Sequence, residues 1–405
     1  MLKIKRKMWI LVVLLSGAIC QAVVVDPNAK TEYKVVRIET LVENVGGMPA
    51  LCRSGSGELL FGYATYWEPV PTGGVIKLIR SADEGKTWSK PTVIVHSKAP
   101  DWNVTFWSGL HLMPDGSLIL TYTQHYWPMR KDVPDEWLNP LKVDPTKVWD
   151  MTSPARKYEA CIIRSTDNGK AWSEPVRIMP DSNCWAFGRP ITAKDGSVLV
   201  PLIPAFPGPA EWCSAVVRST DNGKSWSKPW NIADGPLGFN EVTLGVANNG
   251  DIVAIFRDTI AGPRRQFRQA VSTDNGKTWS EPKLIDIWGK MPDMLTLPSG
   301  RMLLMVGSVD CMDGSFTFTG PPKSSYAGLF ISDDNGKTWK RDVPLVSPDL
   351  ENLIPFDSPV MVLLKNGNIL ATSHTADRSY RDRPLFGWRD GLHCVINELA
   401  PARKN

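Results

Sequence analysis

Six times along the chain, a short apolar stretch meets a polar turn centred on glycine and is followed by a second apolar stretch. The segments are LCRSGSGELLFGY, LHLMPDGSLILTY, ITAKDGSVLVPLI, VTLGVANNGDIVAIF, MLTLPSGRMLLMV and VMVLLKNGNILATS, with turn glycines Gly57, Gly116, Gly196, Gly250, Gly300 and Gly367. Apolar residues on both sides of a turn that needs positive φ predict a β-hairpin in each segment.

A second repeat lies between the hairpins. An eight-residue phrase begins at Ser81 (SADEGKTW), Ser165 (STDNGKAW), Ser219 (STDNGKSW), Ser272 (STDNGKTW) and Ser332 (SDDNGKTW), with steps of 84, 54, 53 and 60 residues. Its Asp accepts hydrogen bonds from nearby backbone N–H groups, and its Gly takes a conformation closed to most residues. The Trp opens the next strand and is placed to bury its ring between neighbouring units. A calcium loop would need later acidic ligands that the phrase lacks, so architecture explains the repetition and no metal is expected.

A strand leads into each phrase and another follows it, so each hairpin belongs to a unit of four strands. Units of about 50–60 residues match propeller blades. The expected fold is all-β: a six-bladed β-propeller with four-stranded antiparallel blades. The sixth unit ends after a third strand around Gly391–Leu399, and Tyr33–Val42, before the first hairpin, is left to supply the fourth. That pairing closes the ring and removes exposed sheet edges. Residues 23–405 are therefore expected to form one domain. The long step marks an insertion in blade 2, about 125–158, rich in Pro, Trp and charge. A loop of that length in a compact fold points to function, and its Trp127, Trp137 and Trp149 argue against disorder.

The ends change the charge picture. Lys3, Lys5, Arg6 and Lys7 precede the apolar run Met8–Leu15, and small residues lead to a cleavage position after Ala22. Residues 1–22 read as a signal peptide, too short in its apolar part to span a membrane, so no integral membrane span is expected. The expected location is exported: periplasmic, cell-surface or secreted. Without those residues the 46 basic side chains fall to 42, equal to the 42 acidic ones. A neutral chain argues against nucleic acid as partner. Six cysteines remain, Cys52, Cys161, Cys184, Cys213, Cys311 and Cys394, with no CxxC spacing. They do not suggest zinc, and they read as free buried thiols or as disulfides of an oxidising compartment.

The first strand of each blade runs beside the propeller axis, so residues at the strand entrances converge: Met48, Trp107, Arg189, Glu241, Asp293 and Asp357. Gathered carboxylates beside arginines can serve acid/base or nucleophilic chemistry. Glu241, Asp293 and Asp357 are the catalytic candidates. Arg189, Arg257, Trp67, Trp107, His125 and His374 are the substrate-binding ones, the indoles because sugar rings stack on them. His111, inside an apolar strand, reads as a core histidine. The tail segment 377–384 reads as a solvated loop. No cofactor is expected.

Repeated SxDxGxTW in a six-unit β protein resembles the Asp-box signature of the sialidase superfamily, across nearly all of the chain after residue 22. In sialidases three arginines bind the sugar carboxylate, a Glu-activated Tyr attacks the anomeric centre, and an Asp acts as acid/base. The hairpin FNEVTLGVANNGDIVAIFRD resembles the segment that carries the Glu and the second Arg, which places those roles on Glu241 and Arg257. Other elements depart from the family. The first blade reads GlyGlyMetProAlaLeu in place of a PheArgIlePro-like phrase, Asp357 stands where the Tyr nucleophile would, and no Arg occurs at Gly307–Asp313, although Arg264, Arg265 and Arg268 lie one blade earlier. Tyr66, Trp67 and Glu68 occur where the acid/base Asp is sought.

The resemblance implies an exported glycoside hydrolase that cleaves a terminal, acidic sugar from an extracellular glycan, working as a monomer. The alternatives are a non-catalytic glycan-binding propeller, or a uronic-acid polysaccharide lyase or rhamnosidase-type enzyme of the same fold.

Overall fold

A computed structural model describes residues 31–43, 45, 49–65, 74–99, 102–105, 108–126, 155–180, 182–204, 213–233, 239–258, 266–307, 328–344, 353–377 and 392–402. Among these residues every regular element is a strand, and the strands form six antiparallel sheets. The first strand is β1 (Tyr33–Val42). Blade 1 holds β2 (Ala50–Arg53), β3 (Leu59–Thr65), β4 (Val75–Ser81) and β5 (Thr92–His96). Blade 2 holds β6 (Trp102–Thr105), β7 (Leu110–Leu112), β8 (Leu118–Tyr126), β9 (Lys157–Ser165) and β10 (Val176–Arg177). Blade 3 holds β11 (Cys184–Ala186), β12 (Ile191–Thr192), β13 (Val198–Pro204), β14 (Ala215–Ser219) and β15 (Trp230–Asn231).

Blade 4 holds β16 (Phe239–Val246), β17 (Ile252–Asp258), β18 (Gln266–Ser272) and β19 (Lys283–Trp288). Blade 5 holds β20 (Lys290–Thr296), β21 (Met302–Gly307), β22 (Gly328–Ser332) and β23 (Lys340–Pro344). Blade 6 holds β24 (Leu353–Leu363), β25 (Ile369–Asp377) and β26 (Leu392–Pro401), completed by β1. The expected six-bladed all-β propeller is thus the observed fold. Its ring closes as expected, with β1 antiparallel to β26 from Tyr33↔Pro401 to Val42↔Cys394. The insertion in blade 2 is bounded by β8 and β9, which absorb His125, Tyr126, Lys157 and Tyr158. Residues 127–154 lie outside the described residues, as do residues 1–22.

The second strand of each blade is covered on both faces, which is why it reads as a near-continuous apolar run rather than as strict alternation. All of β13 and all of β21 are buried, for example. The buried side chains fall into six apolar clusters, one between each pair of adjacent blades. The cluster between blades 6 and 1 also takes in Phe187 and Ile203 of blade 3 and Met291 of blade 5, so apolar packing reaches across the axis as well as between neighbours.

The Asp phrases strengthen the interfaces. In the first copy Ser81 Oγ bonds Asp83 Oδ1 at 2.8 Å and accepts Gly85 N–H at 2.8 Å, while Thr87 donates both its N–H and its hydroxyl to the Asp83 carboxylate at 2.8 and 2.7 Å. The residue before each Gly and the Gly itself both have positive φ, as at Asn275 (60°) and Gly276 (83°). The turn's carbonyls then face the preceding blade, which donates to them. Arg37 Nη1 bonds Gly85 O at 2.8 Å, Arg80 Nη1 bonds Asn168 O at 2.8 Å, Arg164 bonds Asn222 O, and Gln269 Nε2 bonds Gly336 O at 2.9 Å. These four turns are clasps between neighbours as well as connections within a blade.

The inner strands, which run beside the axis, are each broken or bulged in blades 2 to 6. Ser108, Gly188, Glu241, Met291 and Ser358 have φ of 53, 101, 52, 52 and 54°, one in the inner strand of each blade from 2 to 6. In blades 2 and 3 the break divides the strand in two. In blades 4, 5 and 6 it appears as a register shift, at Asn240/Thr243, Lys290/Asp293 and around Asp357. Such bulges re-aim side chains near sites.

Cys52, Cys161, Cys184 and Cys394 are buried free thiols, Cys213 is also buried, and Cys311 lies outside the described residues. Burial pushes the Cys52 thiol up to about 11 against the opposing pull of Arg189.

Candidate functional site

The bulges put two ionic clusters at the axial end of the inner strands. The first belongs to blade 4. Asn240 and Arg257 face each other across β16 and β17, and Arg257 Nε donates to Asn240 Oδ1 at 3.0 Å. Glu241 follows Asn240 in left-handed conformation, which turns its carboxylate back onto the same guanidinium, Nη2 to Oε1 at 2.8 Å. The other carboxylate oxygen accepts the N–H of Met291, in the bulge of blade 5, at 3.0 Å. Both side chains are largely buried, Arg257 at 11% exposure and Glu241 at 7%. This is an acid held in one orientation with its countercharge aligned by a neutral amide.

The second cluster joins Arg189 of blade 3 to Asp293 of blade 5 in a fork, Nε to Oδ1 at 3.0 Å and Nη2 to Oδ2 at 2.7 Å. Asp293 is fully buried and also accepts the hydroxyl of Ser108 at 3.0 Å and the N–H of Met361 at 2.8 Å. Arg189 donates further to Met361 O at 2.8 Å and Leu51 O at 3.3 Å. Four hydrogen bonds occupy the two oxygens of Asp293, leaving no open face for chemistry. Burial depresses the Arg189 pKa, but the charge and hydrogen bonds of Asp293 outweigh it and the net shift is upward. His111 lies nearby, its Nε2 bonded to Thr192 Oγ1 at 2.9 Å; burial, reinforced by Arg189, pushes its pKa down to about 4.

Asp357 sits in β24 directly opposite His374 in β25, with a register shift on each side of it; its side chain lies outside the described residues. His374 is buried. His125 is buried at the end of β8, where its ring stacks on Trp185 (centroids 5.9 Å apart, planes 13°), and Tyr158, its partner across β8 and β9, packs on the same indole at 4.7 Å. These rings stand where the blade 2 insertion leaves and rejoins the sheet. Met48, Trp67, Trp107, Arg264 and Arg265 lie outside the described residues. Arg268 is committed to Asp258, Nε to Oδ2 at 2.6 Å.

Of the predicted residues, the structure pairs Glu241 with Arg257 and Arg189 with Asp293, and faces Asp357 to His374 along the backbone. Sequence reading missed Asn240, Ser108 and the backbone of Met291 and Met361. The only signal for the last two is a proline after the bulged residue, in Met291-Pro292 and Ser358-Pro359. Among the described residues no group of three or more His, Cys, Asp or Glu side chains is placed to hold a metal ion. No helix among them is long and apolar enough to cross a membrane.

Comparison with known proteins agrees with this architecture. Residues 137–311 match the family model of the BNR repeat-like domain, and residues 330–341 match the BNR/Asp-box repeat. A curated sialidase of Bacteroides fragilis is 26% identical over 341 residues, covering 75% of this chain. The chain spans 56% of the length of that relative. A protein of unknown function from Dyadobacter fermentans superposes with a TM-score of 0.67 at 18% identity, over 92% of this chain and 100% of that one. A Hadza microbial sialidase gives 0.59 at 18% identity, over 87% of this chain and 65% of its own. The leech intramolecular trans-sialidase gives 0.56 at 13%, over 91% and 70%.

Proposed function

Taking the chain as an Asp-box propeller of the sialidase-like family, we propose that it is an exported glycoside hydrolase that removes a terminal acidic sugar from an extracellular glycan. The observation that carries the reading is the Glu241–Arg257 pair, whose carboxylate and guanidinium are each aligned by a second partner, Met291 N–H and Asn240 Oδ1. Glu241 is assigned as base or activator, Arg257 as the group that meets the sugar carboxylate, and Asp357 as nucleophile or acid/base. His374, across the strands from Asp357, is assigned to orient it. Arg189 and Asp293, which the sequence reading placed among the binding and catalytic groups, are reassigned to each other, because their polar atoms are taken up in one buried fork.

The test is incubation of the purified protein with a panel of acidic glycans and identification of the products by mass. Released monosaccharide is the expected product, and Glu241→Gln is expected to lower turnover by about 10²–10⁴-fold, the usual contribution of a positioned acid or base. Unchanged turnover in that variant removes Glu241 from the mechanism. A second reading, a glycan-binding propeller without catalysis, is favoured by the aromatic group of His125, Trp185 and Tyr158 at the root of the insertion. Retention on a glycan array with no product is its signature. Export is proposed with cleavage after Ala22, and the mass of the mature chain decides it.

A further inference from the structure

Arg189 and Asp293 share six hydrogen bonds among the described residues, and their reach is unusual. Asp293 belongs to blade 5, Arg189 to blade 3, Ser108 to blade 2, Leu51 to blade 1, and Met361 to blade 6. The remaining blade is joined at one remove. Two residues before Asp293, Met291 gives its N–H to Glu241 of blade 4 at 3.0 Å. Between the two lies Pro292, whose ring restricts the backbone that links them.

From this we infer that the Arg189–Asp293 pair is an axial keystone: it fixes the bulge Met291–Pro292–Asp293 and thereby holds the Met291 N–H on the Glu241 carboxylate. The pair positions the proposed site without touching the substrate. Met291 has φ of 52°, a conformation that costs a side-chain-bearing residue energy and persists only where its surroundings impose it. One side of the bulge is set by the ladder contact Lys290↔Gly307. The other side is set by Asp293, whose four hydrogen bonds leave it one orientation. If Asp293 moves, the strand is free to relax toward regular pairing, and the Met291 N–H turns from Glu241 into the ladder. A packing role alone would be met by any apolar pair of similar size, since swapping a buried ion pair for well-packed apolar groups is often neutral for stability. A positioning role would not be met.

The inference rests on the reading of Glu241 as the working carboxylate only for its functional meaning, and its structural content is tested without substrate. Amide hydrogen exchange is measured at Met291, with Leu304 in β21 and Ile255 in β17 as controls, in the wild type, Ser108→Ala, Arg189→Lys and the double variant Arg189→Met/Asp293→Leu. Ser108→Ala removes a single hydroxyl and is the variant expected to fold in every case. In each folded variant, Met291 is expected to exchange faster while the controls stay protected. The effect should be smallest in Ser108→Ala and roughly tenfold in the double variant, about the loss of one net hydrogen bond. Unchanged Met291 protection in the folded variants overturns the keystone. Failure of the glycan assay with faster Met291 exchange would leave the keystone standing and remove the hydrolase, so the two failures are separable.

Discussion

Gly188 shows how one absent side chain admits the inner strands to the axis. Its φ is 101°, and a Cβ there would lie 2.1 Å from the carbonyl oxygen of Val242 in blade 4. Blades 3 and 4 therefore approach backbone to backbone just before Arg189 enters the fork. Gly116, in the turn between β7 and β8, has φ of 81° and nothing within 4 Å of the same position. Gly116→Ala is expected to cost only the strain of its φ, about 1 kcal/mol, while Gly188→Ala adds a collision with backbone and should cost more than about 3 kcal/mol. Denaturant midpoints of the two variants measure the difference, and equal midpoints would mean that the close approach carries no energy. At this scale the sequence was legible where a residue's neighbours are local. Glu241 and Arg257 lie on one hairpin and were singled out together from it. Arg189 and Asp293 are 104 positions apart, and nothing local says that they meet.

The element with the clearest physics is the Asp-box turn. Hydrogen bonds from the Thr87 hydroxyl and N–H hold the Asp83 carboxyl at about 2. At Asp274 partial burial pulls upward, but the N–H and hydroxyl of Thr278 and the hydroxyl of Ser272 outweigh it and the value is again about 2. A carboxyl whose folded pKa lies below its unfolded value contributes stability above the unfolded value, and that contribution fades as pH falls toward the folded one. The double variant Asp83→Asn/Asp274→Asn should therefore melt below the wild type at about pH 5, with the gap closing as pH approaches about 2. A gap of constant size would assign the loss to shape rather than to charge. The turn was readable because its donors and acceptors all lie within the eight residues. Its clasp on the preceding blade was not, since Arg37, Arg80, Arg164 and Gln269 are placed by the ring.

For the whole molecule, closure decides stability. Blade 6 takes its outer strand from the start of the described chain, and the join is buckled to blade 5. Asp342 accepts the N–H groups of Glu32 and Tyr33 at 2.6 and 2.9 Å, and Arg301 bridges Glu32 and Asp333 at 2.7 Å each. A chain beginning at Glu43 would leave β26 as an exposed edge and open one interface of the ring. It is expected to lose the single cooperative transition by calorimetry and to elute as aggregate on size exclusion. A sharp, unshifted transition would show that closure is dispensable.

Period, turn chemistry and the spare strand Tyr33–Val42 determined the fold from sequence, because a propeller is built from local hairpins whose signals repeat. Blade count, blade order and the place of the insertion follow from contacts within or between consecutive units, and the seam follows from the one strand left over at the start. What the axis holds was decided only in three dimensions. There the five bulges convert ordinary strand positions into convergent ones, and their contacts come from other blades, as Ser108 on Asp293 and Met291 on Glu241. Asp293 and Arg189 looked like free chemistry because a linear reading sees charges without their partners. The folded ring satisfies both within one buried fork and leaves Glu241 with Arg257 as the pair on which the proposed activity rests.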